Sequence, residues 1–198
     1  AHLVGLGRAV HKDQAFPNFF SPVIKGMFIE EYKKLIDLGV RRFRIDLAER
    51  LLKDVMLGEW KEFYGFLPQS VSDEPLKEII KGLKSHALRA YGENIIFTGE
   101  CYDKVRRKKL LDLGLTRVYY HDVFLDGKEV AKGEKSALYL RKSLEWAVIR
   151  SPEKVIYASN PDEEPIKFIG SLQSQKVLHF FLFALGLSGV PVMIDLRD

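Results

Sequence analysis

The chain of 198 residues carries 31 lysines and arginines against 27 aspartates and glutamates, a net charge of +4, and 46% of it is hydrophobic. This length and apolar content suffice for one domain with a substantial core. Acidic residues are interspersed among the basic ones, which argues against a nucleic-acid surface, and the single cysteine, Cys101, excludes an internal disulfide and any multi-cysteine metal site.

The most apolar segment, Val177 to Met193, is interrupted by two glycines and a proline. This pattern predicts a core helix running into a strand, so we expect no membrane partner. No secretory signal is evident, which together with the cysteine content predicts a cytoplasmic protein. The chain opens on Ala1 and stops at Asp198 just after a strand-like run, and we interpret both ends as cut.

In chain order, residues 1–22 are weakly periodic and are predicted to be loop. A helix is predicted over 27–38, and from there short β-rich runs alternate with amphipathic segments. The predicted strands are 41–47, 94–100, 117–123, 154–160 and 189–196. The further predicted helices are 51–66, 74–90, 103–114, 136–150 and 172–187, with turns at Asp126–Gly127 and Gly133.

Strands that alternate with helices of ten or more residues predict a parallel sheet built from βαβ crossovers. An open doubly wound sheet and a segment of a (β/α)8 barrel both fit this alternation. In either fold, functional groups gather at the carboxyl ends of the strands.

Polar residues follow several predicted strands: Asp46, Glu100, the pair His121–Asp122, Asn160 and Asp162. Any one of these could simply cap the following helix. Because several of these residues follow separate strands, their combination favours a functional site. Clustered carboxylates can hold a divalent metal, or they can divide the acid/base and nucleophilic work of glycosidic bond cleavage.

Arg44 and Asp46 are two apart on the first predicted strand, so their side chains point to the same face. We expect Arg44 to hold and orient the Asp46 carboxylate, while Phe43 and Ile45 pack on the opposite face. A buried structural ion pair is the alternative interpretation of this pattern.

Four segments resemble signatures of the α-amylase family of glycoside hydrolases and transglycosylases. "GVRRFRID" is similar to the strand that delivers the nucleophile, and "IIFTGE" to the strand that ends in the acid/base glutamate. "VIYASNPD" resembles the strand that closes on a second aspartate, and "FFLFALGLSGVPVM" resembles the helix and strand that follow it. The segments come in the family's order and cover about Met27 to Met193.

The resemblance implies that Asp46 is the nucleophile, Glu100 the general acid/base, and Asp162 a residue that stabilises the transition state. Arg44 would hold Asp46, and Asn160 would set the loop that carries Asp162. We expect Tyr102 and His121 to line the rim and contact sugar.

The resemblance also implies a retaining enzyme that acts on α-linked glucans by hydrolysis or glycosyl transfer. We expect no cofactor and no metal site, although some members of the family use calcium. Pro161 stands where most members have a histidine, and Glu49 and Arg50 replace a basic pair, which implies altered binding on the leaving-group side.

Nothing before Met27 supplies the earlier strands of a complete barrel. We therefore interpret residues 27–198 as the C-terminal half of a (β/α)8 barrel, about strands 4 to 8, preceded by an irregular lead-in over 1–26. The remaining strands would come from another segment or from a second copy of the chain. The competing hypotheses are an inactive barrel fragment that binds carbohydrate or a protein, and an open α/β domain that binds a nucleotide or a metal.

Overall fold

The computed structural model describes residues 3–5, 15–67, 71, 74–150, 153–157 and 192–193. The strands are β1 (Leu3–Gly5), β2 (Ala15–Pro17), β3 (Arg42–Ile45), β4 (Ile96–Gly99), β5 (Arg117–Tyr119), β6 (Lys154–Tyr157) and β7 (Val192–Met193). The helices are α1 (Pro22–Asp37), α2 (Lys53–Tyr64), α3 (Pro75–Tyr91), α4 (Lys104–Asp112), α5 (His121–Ala131) and α6 (Ala137–Arg150), and a 3₁₀ turn covers Ala48–Leu51.

The chain forms two compact units. The first comprises Ala1–Glu100 with Lys108–Leu115, and the second comprises Cys101–Arg107 with Thr116–Asp198. In the first unit β3 and β4 pair in parallel, with Phe43 opposite Phe97 and Ile45 opposite Gly99. In the second unit β5, β6 and β7 pair in parallel in that order. This alternation of parallel strands and helices confirms the predicted α/β fold class.

Aromatic and aliphatic side chains form the core of the first unit. Phe43 and Phe97 are buried and their rings stack with centroids 5.4 Å apart, while Tyr32 of α1 contacts Phe43 at the same centroid distance. Helix α3, which packs against α1, contributes a buried face at helical spacing: Leu76, Ile79, Ile80, Leu83 and Ala87. Phe43 is thus buried between exposed Arg42 and Arg44, as period-two alternation predicted.

The second unit has a smaller described core, in which Tyr119 of β5 packs with Phe124 of α5 and Val155 of β6. Helices α5 and α6 pack against each other. Gly133 adopts φ 78° in the connection between them. A turn was predicted here, and glycine suits it because glycine adopts a positive φ without steric cost.

The third predicted strand, 117–123, is wrong in its second half. The strand ends at Tyr119, and α5 begins at His121 and runs through the predicted turn at Asp126–Gly127. The buried residues of this helix are Val123, Phe124, Gly127 and Ala131, which lie on one helical face. Burial of that face outweighs the β propensity of the tyrosines and the turn propensity of Asp-Gly.

The lead-in also contains more regular structure than the predicted loop. β1 and β2 pair antiparallel, with Val4 opposite Phe16. Helix α1 begins at Pro22, five residues before the prediction, because proline at the first helical position loses no hydrogen bond there.

Asn160, Asp162 and the predicted helix over 172–187 lie outside the described residues. Of the last predicted strand, Val192–Met193 is described and pairs with β6, Met193 opposite Tyr157. In the part of the chain that the structure describes, no helix is both long and apolar enough to cross a membrane.

Candidate active site

Asp46 and Glu100 directly follow β3 and β4, which are parallel neighbours in the first unit. The carboxyl ends of these strands therefore bring the two acidic residues to the same edge of the sheet. One arginine bridges them. Arg44 Nη1 lies 2.6 Å from Asp46 Oδ1, and Arg44 Nη2 lies 3.2 Å from Glu100 Oε2. The predicted contact of Arg44 with Asp46 is confirmed, whereas its contact with Glu100 was not anticipated.

The two carboxylates differ sharply in burial. The Glu100 side chain is 2% exposed, and the Asp46 side chain is 64% exposed. The Arg44 side chain, 37% exposed, lies between these two values, so its guanidinium joins a buried carboxylate to an accessible one. Such an asymmetric pair of acidic groups suits a division of labour between proton transfer and nucleophilic attack.

Backbone hydrogen bonds also hold Glu100 in place. Its N–H donates to the Ile45 carbonyl and its carbonyl accepts from the Ala48 N–H, both at 2.9 Å. The Leu47 N–H donates to Oε2 of its side chain at 3.0 Å. Every one of these contacts comes from the four residues that end β3 and begin the following turn.

Two residues that sequence reasoning missed shape this turn. Leu47 has φ 43° and ψ 44°, the left-handed conformation, which leucine rarely adopts. Gly99 lies so close to its neighbours that an added Cβ would overlap Leu115 Cδ2 and lie 3.1 Å from Ala48 Cβ. The glycine of "TGE" was a recognisable signal for close packing, but no sequence signal marks a left-handed leucine.

Tyr102 and His121 lie in the second unit. Their rings meet edge to face with centroids 4.7 Å apart, and the His121 ring also lies against Phe124 at 5.3 Å. Burial lowers the pKa of His121 below its usual value, and the nearby Arg107 guanidinium lowers it further. The ring is therefore neutral at pH 7, so it can donate and accept hydrogen bonds.

Asp122, beside His121, is held by cations of α4. Arg107 Nη2 lies 3.4 Å from Oδ1, and Lys104 Nζ lies 3.3 Å from Oδ2. Among the described residues, no three histidine, cysteine, aspartate or glutamate side chains converge in the manner of a metal site.

No protein-family model matches the chain, and no curated protein sequence matches it significantly. Solved structures do match. A noncanonic maltogenic α-amylase, AmyB, from Thermotoga neapolitana superposes with a TM-score of 0.60 over 96% of this chain, at 16% identity. The fold is a segment of a (β/α)8 barrel.

Two other solved structures match this barrel segment over 91% of its length. They are the trehalose-6-phosphate hydrolase of Bacillus licheniformis, with a TM-score of 0.59 and 18% identity, and an α-amylase from H. orenii, with a TM-score of 0.54 and 15% identity. The barrel segment spans 38% of the length of the Thermotoga enzyme and 35% of the other two. At such identities the match establishes the fold.

Proposed function

We propose that the chain is the C-terminal half of the catalytic barrel of a retaining enzyme that acts on α-linked glucans, as a hydrolase or a transglycosylase. The observation that carries this proposal is the Arg44 bridge between exposed Asp46 and buried Glu100 at the ends of adjacent parallel strands. The fold shared with two amylases and a trehalose-6-phosphate hydrolase supports it.

In the proposed mechanism Asp46 attacks the anomeric carbon, and Glu100 gives its proton to the departing glycosidic oxygen. The product of this step is a covalent glycosyl-enzyme. Glu100 then takes a proton from water, or from an acceptor sugar hydroxyl, whose oxygen displaces Asp46. Both carboxylates contact one guanidinium, which supports this double displacement, because retaining enzymes hold the two groups roughly 5–5.5 Å apart.

The remaining roles rest on the resemblance of the sequence motifs. Asp162 stabilises the transition state, Asn160 sets its loop, and Tyr102 and His121 contact sugar. We further propose that the substrate is an oligo- or polysaccharide, that no cofactor takes part, and that the protein is cytoplasmic. The missing barrel strands come from another segment of the protein or from a second copy of this chain.

The first test is turnover of maltodextrin by the full-length protein. Asp46→Asn and Glu100→Gln should each lower kcat by at least about 100-fold, because each removes a group that acts in the transition state. Glu93→Gln is the matched control, since Glu93 is an exposed carboxylate that pairs with Arg41. Full activity in both site variants would refute the proposal, and sugar binding without turnover in the wild type would favour an inactive fragment.

The second test separates the two roles by stereochemistry. With azide and an activated 2,4-dinitrophenyl α-glucoside, Asp46→Ala should yield the inverted β-glucosyl azide, because azide takes the place of the missing nucleophile. Glu100→Ala should yield the α-azide, since azide replaces water in the second displacement. The opposite pairing of variant and anomer would contradict the assigned roles.

A further inference from the structure

Leu47 has the only positive φ angle among the non-glycine residues that the structure describes. For a residue with a branched side chain this conformation is unfavourable, because Cβ crowds the backbone. Such strain persists only where the surrounding structure holds it, and it concentrates at functional sites. Leu47 stands directly between Asp46 and the turn that contacts Glu100.

The left-handed conformation turns two successive N–H groups toward the same residue. The Leu47 N–H reaches Glu100 Oε2 at 3.0 Å, and the Ala48 N–H reaches the Glu100 carbonyl at 2.9 Å. In an extended strand, successive N–H groups point to opposite edges. A left-handed residue followed by a right-handed turn instead makes a concave pair of donors that receives an anionic oxygen.

Two contacts therefore meet on a single oxygen of the Glu100 carboxyl group: a hydrogen bond from the Leu47 N–H and an ion pair with Arg44 Nη2. They hold the carboxyl group in one orientation, and they oppose a proton on Oε2 because its hydrogen would face the Leu47 N–H hydrogen and the positive charge of Arg44. When Glu100 is protonated, its proton is consequently carried by Oε1.

We propose that Leu47 is a positioning residue: its left-handed backbone aims its N–H at Glu100 Oε2, so that Oε1 delivers the proton to the leaving oxygen. This inference rests on the proposed function, in which Glu100 is the acid. A turn that merely ended β3 would need neither the strained leucine nor the hydrogen bond to the side chain.

The kinetic test compares two substrates. Leu47→Val introduces a β-branched side chain that resists the left-handed conformation, and Leu47→Asn has a side chain of similar size that tolerates it. On a maltooligosaccharide, whose leaving group needs a proton, the valine variant should lose about 10- to 100-fold in kcat, the effect of one hydrogen bond to a charged group.

On the 2,4-dinitrophenyl glucoside, whose leaving group departs without a proton, the same variant should lose less than about 3-fold. The asparagine variant should retain the activity that valine loses on the maltooligosaccharide. Equal losses on both substrates, or equal losses in both variants, would overturn the inference.

Amide hydrogen exchange tests the positioning contact without reference to turnover. In full-length Glu100→Ala, the amide of Leu47 should lose its protection by roughly 10-fold or more, because its acceptor is gone. The amide of Ala48 should keep its protection, since its acceptor is a backbone carbonyl. Unchanged protection at Leu47 would overturn the inference. If the wild-type protein turned over neither substrate, the proposed function would be contradicted. The exchange measurement would then decide by itself whether the Leu47 N–H is held by the Glu100 side chain.

Discussion

Replacing Gly99 with alanine tests how the end of β4 is held. Gly99 is the last residue of β4 and precedes Glu100. An added Cβ would overlap Leu115 Cδ2 and lie 3.1 Å from Ala48 Cβ. Leu115 is 4% exposed and Ala48 is fully buried, so neither neighbour can swing into solvent to make room.

The expected cost follows from this overlap. Inserting a methyl group into a packed core costs about 1–3 kcal/mol. Gly99 does not have a positive φ, so alanine adds no backbone strain, and reduced freedom of the unfolded chain returns about 0.4–1 kcal/mol. We therefore expect Gly99→Ala to lower the free energy of unfolding by about 1–2 kcal/mol. Under the proposed function, glucan turnover should fall as well, because Ala48 is the residue whose N–H holds the Glu100 carbonyl.

Urea denaturation provides the measurement, with Gly58→Ala as the matched control. Gly58 lies within α2, and nothing stands within 4 Å of the Cβ that alanine would add. The control should gain about 0.5–1 kcal/mol from helix propensity. Leu115→Ala is the second variant of a double-mutant cycle, because removing the Leu115 side chain also removes its overlap with the Cβ added at position 99.

The two sites should be strongly coupled. In the Leu115→Ala background, Gly99→Ala should cost less than in the wild type, by about 1 kcal/mol or more. If the two losses in the free energy of unfolding were additive, the alanine at position 99 would not contact Leu115. A gain in stability from Gly99→Ala alone, comparable to the control, would refute the close packing on which the estimate depends.

Three further predictions concern the first unit. Arg44→Met should destabilise the protein by about 1–3 kcal/mol, because it removes the cation that pairs with a buried carboxylate, and a double-mutant cycle in urea should show this cost shrinking in the Glu100→Gln background. Phe43→Ala should cost about 3–5 kcal/mol by leaving a cavity against Phe97, and a cost below about 1 kcal/mol would contradict the burial of the ring. A hydrogen bond from His86, and to a lesser extent one from Tyr91, holds the pKa of Asp37 below its usual 3.8. The stability that the Asp37 carboxylate contributes is therefore present above pH 3.8 and is lost as the pH falls through the lowered pKa. Asp37→Asn should therefore flatten the fall in Tm between roughly pH 5 and pH 2, and parallel melting curves would refute this.

Much of the fold was accessible from sequence because burial imposes a period on each element. The alternation in "RRFRID" placed Phe43 in the core and put Arg44 with Asp46, and the structure confirms both. The prediction is wrong at α5, where the residues of "RVYYHDV" favour a strand to residue 123 but the strand ends at Tyr119. There the face that carries Val123, Phe124 and Ala131 is buried because α6 and β6 pack against α5, which no local pattern reveals.

The sequence by itself determined that acidic residues follow parallel strands and that Arg44 shares a face with Asp46, since both depend on spacing along one segment. Only the tertiary structure decided that Arg44 also reaches Glu100 and that Leu47 adopts a left-handed conformation to meet the same oxygen. Those contacts arise from the register between β3 and β4, two strands about fifty residues apart in the chain. Register depends on how the opposing faces of the strands pack. The strained backbone of Leu47 is held by contacts with residues that are distant in the sequence, so the local sequence does not predict it.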